Sequence, residues 1–179
     1  MIHRSQFGAV FGSLFRRSAF RLEVLDRYAV PDEAEPFRRF LAGEPQDPAW
    51  REPYKQFVRG ELRDGKQMAR VHAVREPLSD YLEFELTCGY PANVAAGEDV
   101  RVLRLASWPH LRLPDHDYWL FNDRVAAVMI YGEAGDFLGA DVISDPVMAA
   151  RYRRARDIAM GHSVPLADYL ASPGMNTRT

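Results

Sequence analysis

Residues 68–105 read MARVHAVREPLSDYLEFELTCGYPANVAAGEDVRVLRL. In 68–74, Met68, Arg70, His72 and Val74 fall on one side and Ala69, Val71 and Ala73 on the other; in 100–105, Val100, Val102 and Arg104 alternate with Arg101, Leu103 and Leu105. A period of two marks a strand, because successive side chains there point to opposite faces. Between them, Pro77 and Ser79 open a segment from Asp80 to about Leu86 with acids in its first turn, where they complement a helix dipole. Gly89 and Pro91 then interrupt the helical pattern of 89–97. Strand, helix and strand in one unit predict two parallel strands joined by a right-handed crossover.

Working outward, 19–28 sets Phe20, Leu22 and Val24 against Arg21, Glu23 and Leu25, a strand with one buried face. Pro31 and Asp32 open a short helix with Asp32, Glu33 and Glu35 in its first turn, ending near Gly43. Asp47-Pro48 pairs an N-cap with a proline at the first helical position and begins a helix carrying Trp50, Tyr54, Phe57, Val58 and Leu62, closed by Asp64-Gly65. Beyond 105, three strands follow closely at 118–121, 125–131 and 137–143, with turns at Asn122-Asp123 and 132–135. Tyr118 and Leu120 alternate with Trp119 and Phe121, so both faces of that strand are apolar and it belongs in the middle of the sheet. Asp145-Pro146 opens a last long helix to about Met160 with a stripe of Met148, Tyr152, Ala155 and Ala159, and a short helix follows at 166–170. The expected fold is α/β, with α+β as the alternative: a single mixed sheet of about five to six strands, helices packed on it, and Val102, Trp119 and Val128 sharing one interior. The expected organisation is an amphipathic helix in 1–18 for docking or a dimer contact, one domain in 19–171, and a polar tail in 172–179.

At 179 residues, 47% hydrophobic and 27% charged, the composition is that of a globular domain and excludes a disordered or collagen-like chain. A formal net charge of -2 argues against a dedicated basic nucleic-acid binder. Cys88 is the only cysteine, so no intramolecular disulfide or cysteine metal cluster forms, in keeping with a cytoplasmic location. Phe7, Val10, Phe11, Leu14 and Phe15 have helical spacing ending in Arg16-Arg17, unlike a signal peptide. No apolar run approaches the roughly 18 residues of a membrane span.

No glycine-rich phosphate loop, dinucleotide fingerprint or nucleophile elbow is present, and the five histidines are scattered, so neither a cofactor nor a metal is expected. His116, Tyr118 and Asp123 fall at positions one, three and eight of HDYWLFND. That stretch resembles the His-x-Lys-x-x-x-x-Asp motif of the phospholipase D superfamily, with tyrosine replacing lysine. The resemblance implies a phospholipase-D-like half-domain, as in bacterial regulators that have lost catalysis. It also implies an alternative role as an enzyme on a phosphodiester or other anionic substrate, with His116 as nucleophile or acid and Asp123 orienting it. Tyr118 cannot supply the lysine's fixed charge.

Phe20-Arg21-Leu22-Glu23, Phe40-Leu41-Ala42-Gly43, Val74-Arg75-Glu76-Pro77 with Asp80-Tyr81, Gly97-Glu98-Asp99-Val100-Arg101 and Asp117-Tyr118-Trp119-Leu120-Phe121 resemble, over nearly the whole chain, an actinobacterial family defined by a domain of unknown function, DUF6879. Its members commonly appear beside helix-turn-helix regulators, which implies a regulatory accessory role. Arg70, Arg75, Arg101 and Arg104 lie on adjacent predicted strands and, if they converge, form a pocket for a small anionic ligand; the alternative is an ion-pair network with neighbouring carboxylates. Trp108, in a loop with Pro109 and His110, marks an interface or pocket rim, and His116 and Tyr118 complete the candidate ligand-binding set. Arg151, Arg153, Arg154 and Arg156 spread around the last helix and read as a solvated face rather than a nucleic-acid contact. The expected function is a non-enzymatic ligand- or partner-binding domain, its partner a helix-turn-helix regulator or a second copy of the chain.

Overall fold

A computed structural model describes residues 1–172; the predicted tail beyond Ser172 lies outside the described residues. Its strands are β1 (Ile2–His3), β2 (Ser18–Glu23), β3 (Gln67–Val74), β4 (Asp99–Arg104), β5 (Tyr118–Phe121), β6 (Val125–Tyr131), β7 (Phe137–Ile143) and β8 (Val164–Pro165). The helices are α1 (Arg4–Leu14), α2 (Ala34–Leu41), α3 (Glu52–Arg63), α4 (Asp80–Phe84), α5 (Tyr90–Ala96), α6 (Pro146–His162) and α7 (Leu166–Leu170), with a π-helical turn, Glu85–Gly89, between α4 and α5. Start signals in the sequence act as written: Asp47, Ser79 and Asp145 side chains accept from the backbone N–H of Ala49 (2.9 Å), Leu82 (3.1 Å) and Met148 (2.9 Å). Pro91 does not break the helix there; it occupies the first turn of α5, where a missing N–H is harmless.

The fold is α/β, built on one mixed eight-stranded sheet in the order β1-β7-β6-β5-β2-β3-β4-β8. The count exceeds the expected five to six because β1 and β8 are two-residue edge strands, too short to show a period. Strands β2, β3 and β4 are parallel, as the unit spanning 68–105 requires, and the other pairings are antiparallel.

Register assigns the faces. Ala127, Trp119, Arg21, Arg70 and Val100 form one row across β6, β5, β2, β3 and β4; Val128, Tyr118, Leu22, Val71 and Arg101 form the neighbouring row on the opposite face. Val102 and Trp119 therefore share one face while Val128 lies on the other, a correction to the single interior expected for all three. Both faces are covered, so β2 is buried on both sides rather than one: Arg21 and Glu23 are as enclosed as Phe20 and Leu22.

On one face, α6 lays Tyr152, Ala155 and Ala159 against Phe20, Leu22, Val71, Leu103 and Leu120. On the other, α1 sets Phe11 edge-on to Trp119 (4.9 Å between ring centroids) and Phe121 (5.0 Å), and Phe7 against Phe137 (5.2 Å). Further along that face, Leu82, Leu86, Tyr90, Leu166 and Tyr169 cover Val74, Val100 and Val102, while Phe37, Phe40, Trp50, Tyr81 and Phe84 form an aromatic cap. Each fully buried leucine here contributes roughly 2 kcal/mol. Among the described residues no helix is long and apolar enough to cross a membrane.

The β5–β6 turn puts Asn122 (φ 50) and Asp123 (φ 62) in the left-handed region, which asparagine and aspartate tolerate better than bulkier residues. Asn122 uses that position as a pin: Oδ1 accepts from the Arg17 N–H (2.7 Å) and Nδ2 donates to the Leu14 carbonyl (2.7 Å), tying the end of α1 to the start of β2.

Candidate functional site

The face covered by α1 to α5 alternates like a strand face but carries charge at its centre. Arg21 and Glu23 on β2 and Arg70 and His72 on β3 all point into the interior, with relative exposures of 5%, 7%, 7% and 0%. Buried charges persist only when paired and hydrogen-bonded, and partners converge on them from distant segments. Arg70 donates from Nε to Glu98 Oε1 (2.7 Å), from Nη1 to Glu23 Oε2 (3.1 Å) and from Nη2 to the Tyr54 hydroxyl (2.7 Å). Arg21 donates from Nη2 to Asp117 Oδ2 (2.8 Å) and to the Tyr131 hydroxyl (2.5 Å), and its Nε lies 3.4 Å from Glu23 Oε1. Tyr28 donates to Asp117 Oδ2 (2.7 Å), and Tyr90 donates to Glu23 Oε2 (2.7 Å) while facing His72 Nδ1 at 2.8 Å. His72 Nε2 reaches the Leu25 carbonyl at 3.0 Å.

Between this network and the aromatic cap lies a chamber of about 200 Å³. Its far wall comes from Glu33 before α2, Arg51 before α3, Tyr81 on α4 and Glu85 at the start of the π-helical turn. Tyr81 donates to Glu33 Oε2 (2.5 Å), and Arg51 Nη1 donates to Glu33 Oε1 (3.3 Å). Gly89, at the other end of the turn, makes room for Glu85: a Cβ there would stand 2.7 Å from Glu85 Oε1 and 3.4 Å from Arg51 Nη2. π-turns inside helices recur at functional sites because they re-aim side chains, and this one aims a carboxyl inward. Three buried polar atoms here have no hydrogen-bond partner among the described residues: Glu85 Oε1, Arg51 Nε and Arg21 Nη1.

Electrostatics separate the carboxyls. Burial pushes the Glu23 carboxyl up, but the guanidiniums of Arg70 and Arg21 overcome it and hold the group down at about 2. Glu85 has no such counter-charge at contact distance. Burial, reinforced by the neighbouring Glu33, pushes its carboxyl up to about 8. Burial raises Glu33 as well, against its hydrogen bond from Tyr81 and the charge of Arg51. A carboxylic acid kept neutral next to ionised ones is the arrangement by which proteins assign separate roles to like groups.

The residues singled out by sequence do not meet at one place. Arg70 lies in the chamber. Arg75 is exposed just after β3. Arg101 is on the opposite face, donating to Ser163 Oγ (3.0 Å) and to its carbonyl (2.9 Å). Arg104 shares the chamber's face but sits at the far end of β4, donating to Glu76 (3.0 Å) and Ser172 (2.5 Å) with its guanidinium 4.2 Å from the Tyr169 ring. Trp108 is half-exposed, edge-on to His162 at 4.6 Å. His116 contacts Asp115 (3.1 Å) and the Tyr152 hydroxyl (3.2 Å), and Tyr118 donates to the Tyr152 carbonyl (3.0 Å). Asp123 is ion-paired with Arg156, and the whole of β5 separates it from His116. Arg21, Glu23, Glu33, Arg51 and Glu85, which make the chamber, were absent from the sequence-derived set. The signal available for Arg21 and Glu23 was charge at alternate positions of β2; Glu33, Arg51 and Glu85 lie in helical turns, where no strand period marks them.

Comparison with known proteins adds one match. The model of the family described as a domain of unknown function (DUF6879) matches residues 5–171. No curated protein matches the chain.

Proposed function

This chain belongs to the DUF6879 family, and we propose that it is a non-enzymatic ligand-binding domain whose ligand, a small polar molecule, occupies the chamber between the sheet and α2 to α4. One observation carries the reading: Glu85 Oε1, Arg51 Nε and Arg21 Nη1 are buried without partners around the same cavity. Each such atom destabilises the empty fold by roughly 1–3 kcal/mol, and a ligand that supplies the missing partners recovers that energy. A volume of about 200 Å³ is below the roughly 300–1,000 Å³ typical of drug-sized ligands, so the ligand has few heavy atoms. In a cytoplasmic regulator system, occupancy stabilises the fold and is read by a helix-turn-helix partner or a second copy of the chain.

The alternative, an enzyme acting on a phosphodiester through a phospholipase-D-like site, requires His116 and Asp123 to work together, and each is bonded to a different neighbour at opposite ends of β5. The arginine pocket for an anion is likewise less well supported, because Arg70 already has a partner at every nitrogen. The test is a thermal-shift screen of the full chain against small polar metabolites, repeated on Glu85→Gln. At saturating ligand, a hundredfold above Kd, stabilisation of about 2.7 kcal/mol is expected. If no compound shifts the melting temperature, or if Glu85→Gln responds identically to every binder, the chamber is not the site.

A further inference from the structure

The chamber's unmet hydrogen bonds describe a ligand with two chemically different ends. Glu85 Oε1, on the chamber's far wall, is buried with no donor. Arg51 Nε on the same wall and Arg21 Nη1 on the sheet side are donors with no acceptor. The remaining polar groups are already committed: Glu23 to Arg70 and Tyr90, Glu33 to Tyr81 and Arg51, and Asp117 to Arg21 and Tyr28. An anion alone would satisfy the arginines but leave Glu85, once ionised, without a donor and beside a second carboxyl. A cation alone would do the reverse.

We infer that the ligand is a small zwitterion of the amino-acid class, its ammonium set against Glu85 and its carboxylate accepting from Arg21 and Arg51. The inference rests on the ligand-site reading above and names the ligand's chemistry. Net charge agrees, since a zwitterion adds none to a chamber lined by three carboxyls (Glu23, Glu33, Glu85) and three guanidiniums (Arg21, Arg51, Arg70). Shape agrees too, because the small cavity admits a short side chain.

Binding is then coupled to a proton. Glu85 is faced by Glu33, by Arg51, by Tyr81 and Tyr90 from α4 and α5, by Cys88 on its own turn, and by Glu23 and Arg70 from the sheet. In the empty chamber its carboxyl holds a proton up to about pH 8. When the ammonium arrives, Glu85 ionises, the O–H bond breaks with its electron pair kept on the carboxylate, and the proton passes to solvent. Affinity therefore rises with pH by about tenfold per unit between roughly pH 6 and 8.

The experiment is calorimetry on the full chain with glycine or L-alanine, methylammonium chloride and sodium acetate, at pH 6, 7 and 8 and in buffers of different ionisation enthalpy. Expected are tighter binding of an amino acid than of either fragment, release of close to one proton at pH 6, and a loss of roughly tenfold or more in affinity in Glu85→Gln together with its pH dependence. Gly89→Ala, whose methyl would crowd Glu85 Oε1, should weaken the same binding. Acetate or methylammonium binding as tightly as the amino acid overturns the inference, and so does amino-acid binding without proton release. If neither amino acid binds while another compound binds and is weakened in Glu85→Gln, the ligand class is wrong and the site stands. If nothing binds, both fail.

Discussion

The two faces of the sheet bury comparable elements by opposite means. Beneath α6, Leu22, Val71, Leu103 and Leu120 meet alanines and tyrosines in ordinary apolar packing. One residue away along the same strands, Arg21, Glu23, Arg70 and His72 are buried just as deeply and are held by side-chain hydrogen bonds from remote parts of the chain. The apolar face gains stability chiefly from buried area. The polar face spends desolvation energy on an arrangement that apolar residues would make more cheaply, and it leaves three atoms unsatisfied around a cavity. A contrast this local, within one strand, is what the proposed ligand site on the α1–α5 face rests on.

The contrast can be broken from its strongest effect downward. Arg70→Ala strands the Glu23 and Glu98 carboxylates in the interior and should destabilise by about 3–5 kcal/mol in urea unfolding; a loss under about 1 kcal/mol would mean that water reaches them. Leu120→Ala on the apolar face should lose about 2–5 kcal/mol through its cavity, and its stability–pH profile should run parallel to that of the unaltered chain.

On the polar face, pH should matter in two windows of opposite sign. The folded Glu23 carboxyl lies below its ordinary value of 4.5, so its contribution is full above about pH 4.5 and is lost as pH falls toward 2. The folded Glu85 carboxyl lies above its ordinary value, so its contribution is full below about pH 4.5 and is lost as pH rises through about 8, at a slope of at most about 1.4 kcal/mol per pH unit. Glu85→Gln should flatten the second window and leave the first in place, as followed by chemical unfolding from pH 3 to 9. The smallest effect is expected at Arg104→Ala, which removes a partly exposed pair with Glu76 and the stacking on Tyr169 and should change stability by no more than about 1 kcal/mol.

Strand alternation in 68–74, 100–105 and 118–121 carried the parallel unit and the central position of β5, because period and register are local properties. The same alternation misled at β2. A binary pattern treats Arg21 and Glu23 as solvent-facing, and nothing local shows that Asp117, Glu98 and Tyr54 return to neutralise that face from as far as 96 residues away. Glu33 was legible only as a first-turn acid complementing a dipole, although its side chain turns inward to Tyr81 and Arg51. Gly89 and Pro91 were read as interruptions, and the interruption is the device itself: a π-helical turn that swings Glu85 into the chamber, followed by a helix that proline starts. Arg101 and Arg104, neighbours in pattern, fall on opposite faces of β4 because an interval of three reverses the side of a strand.

The account stands on one buried acid. Side-chain carboxyl ¹³C resonances of the glutamate-labelled chain, followed by NMR from pH 3 to 10, report it directly. One glutamate should titrate with a midpoint near 8 and vanish from the Glu85→Gln spectrum; if every glutamate instead finishes ionising below about pH 6, Glu85 is solvated and the account of the chamber fails.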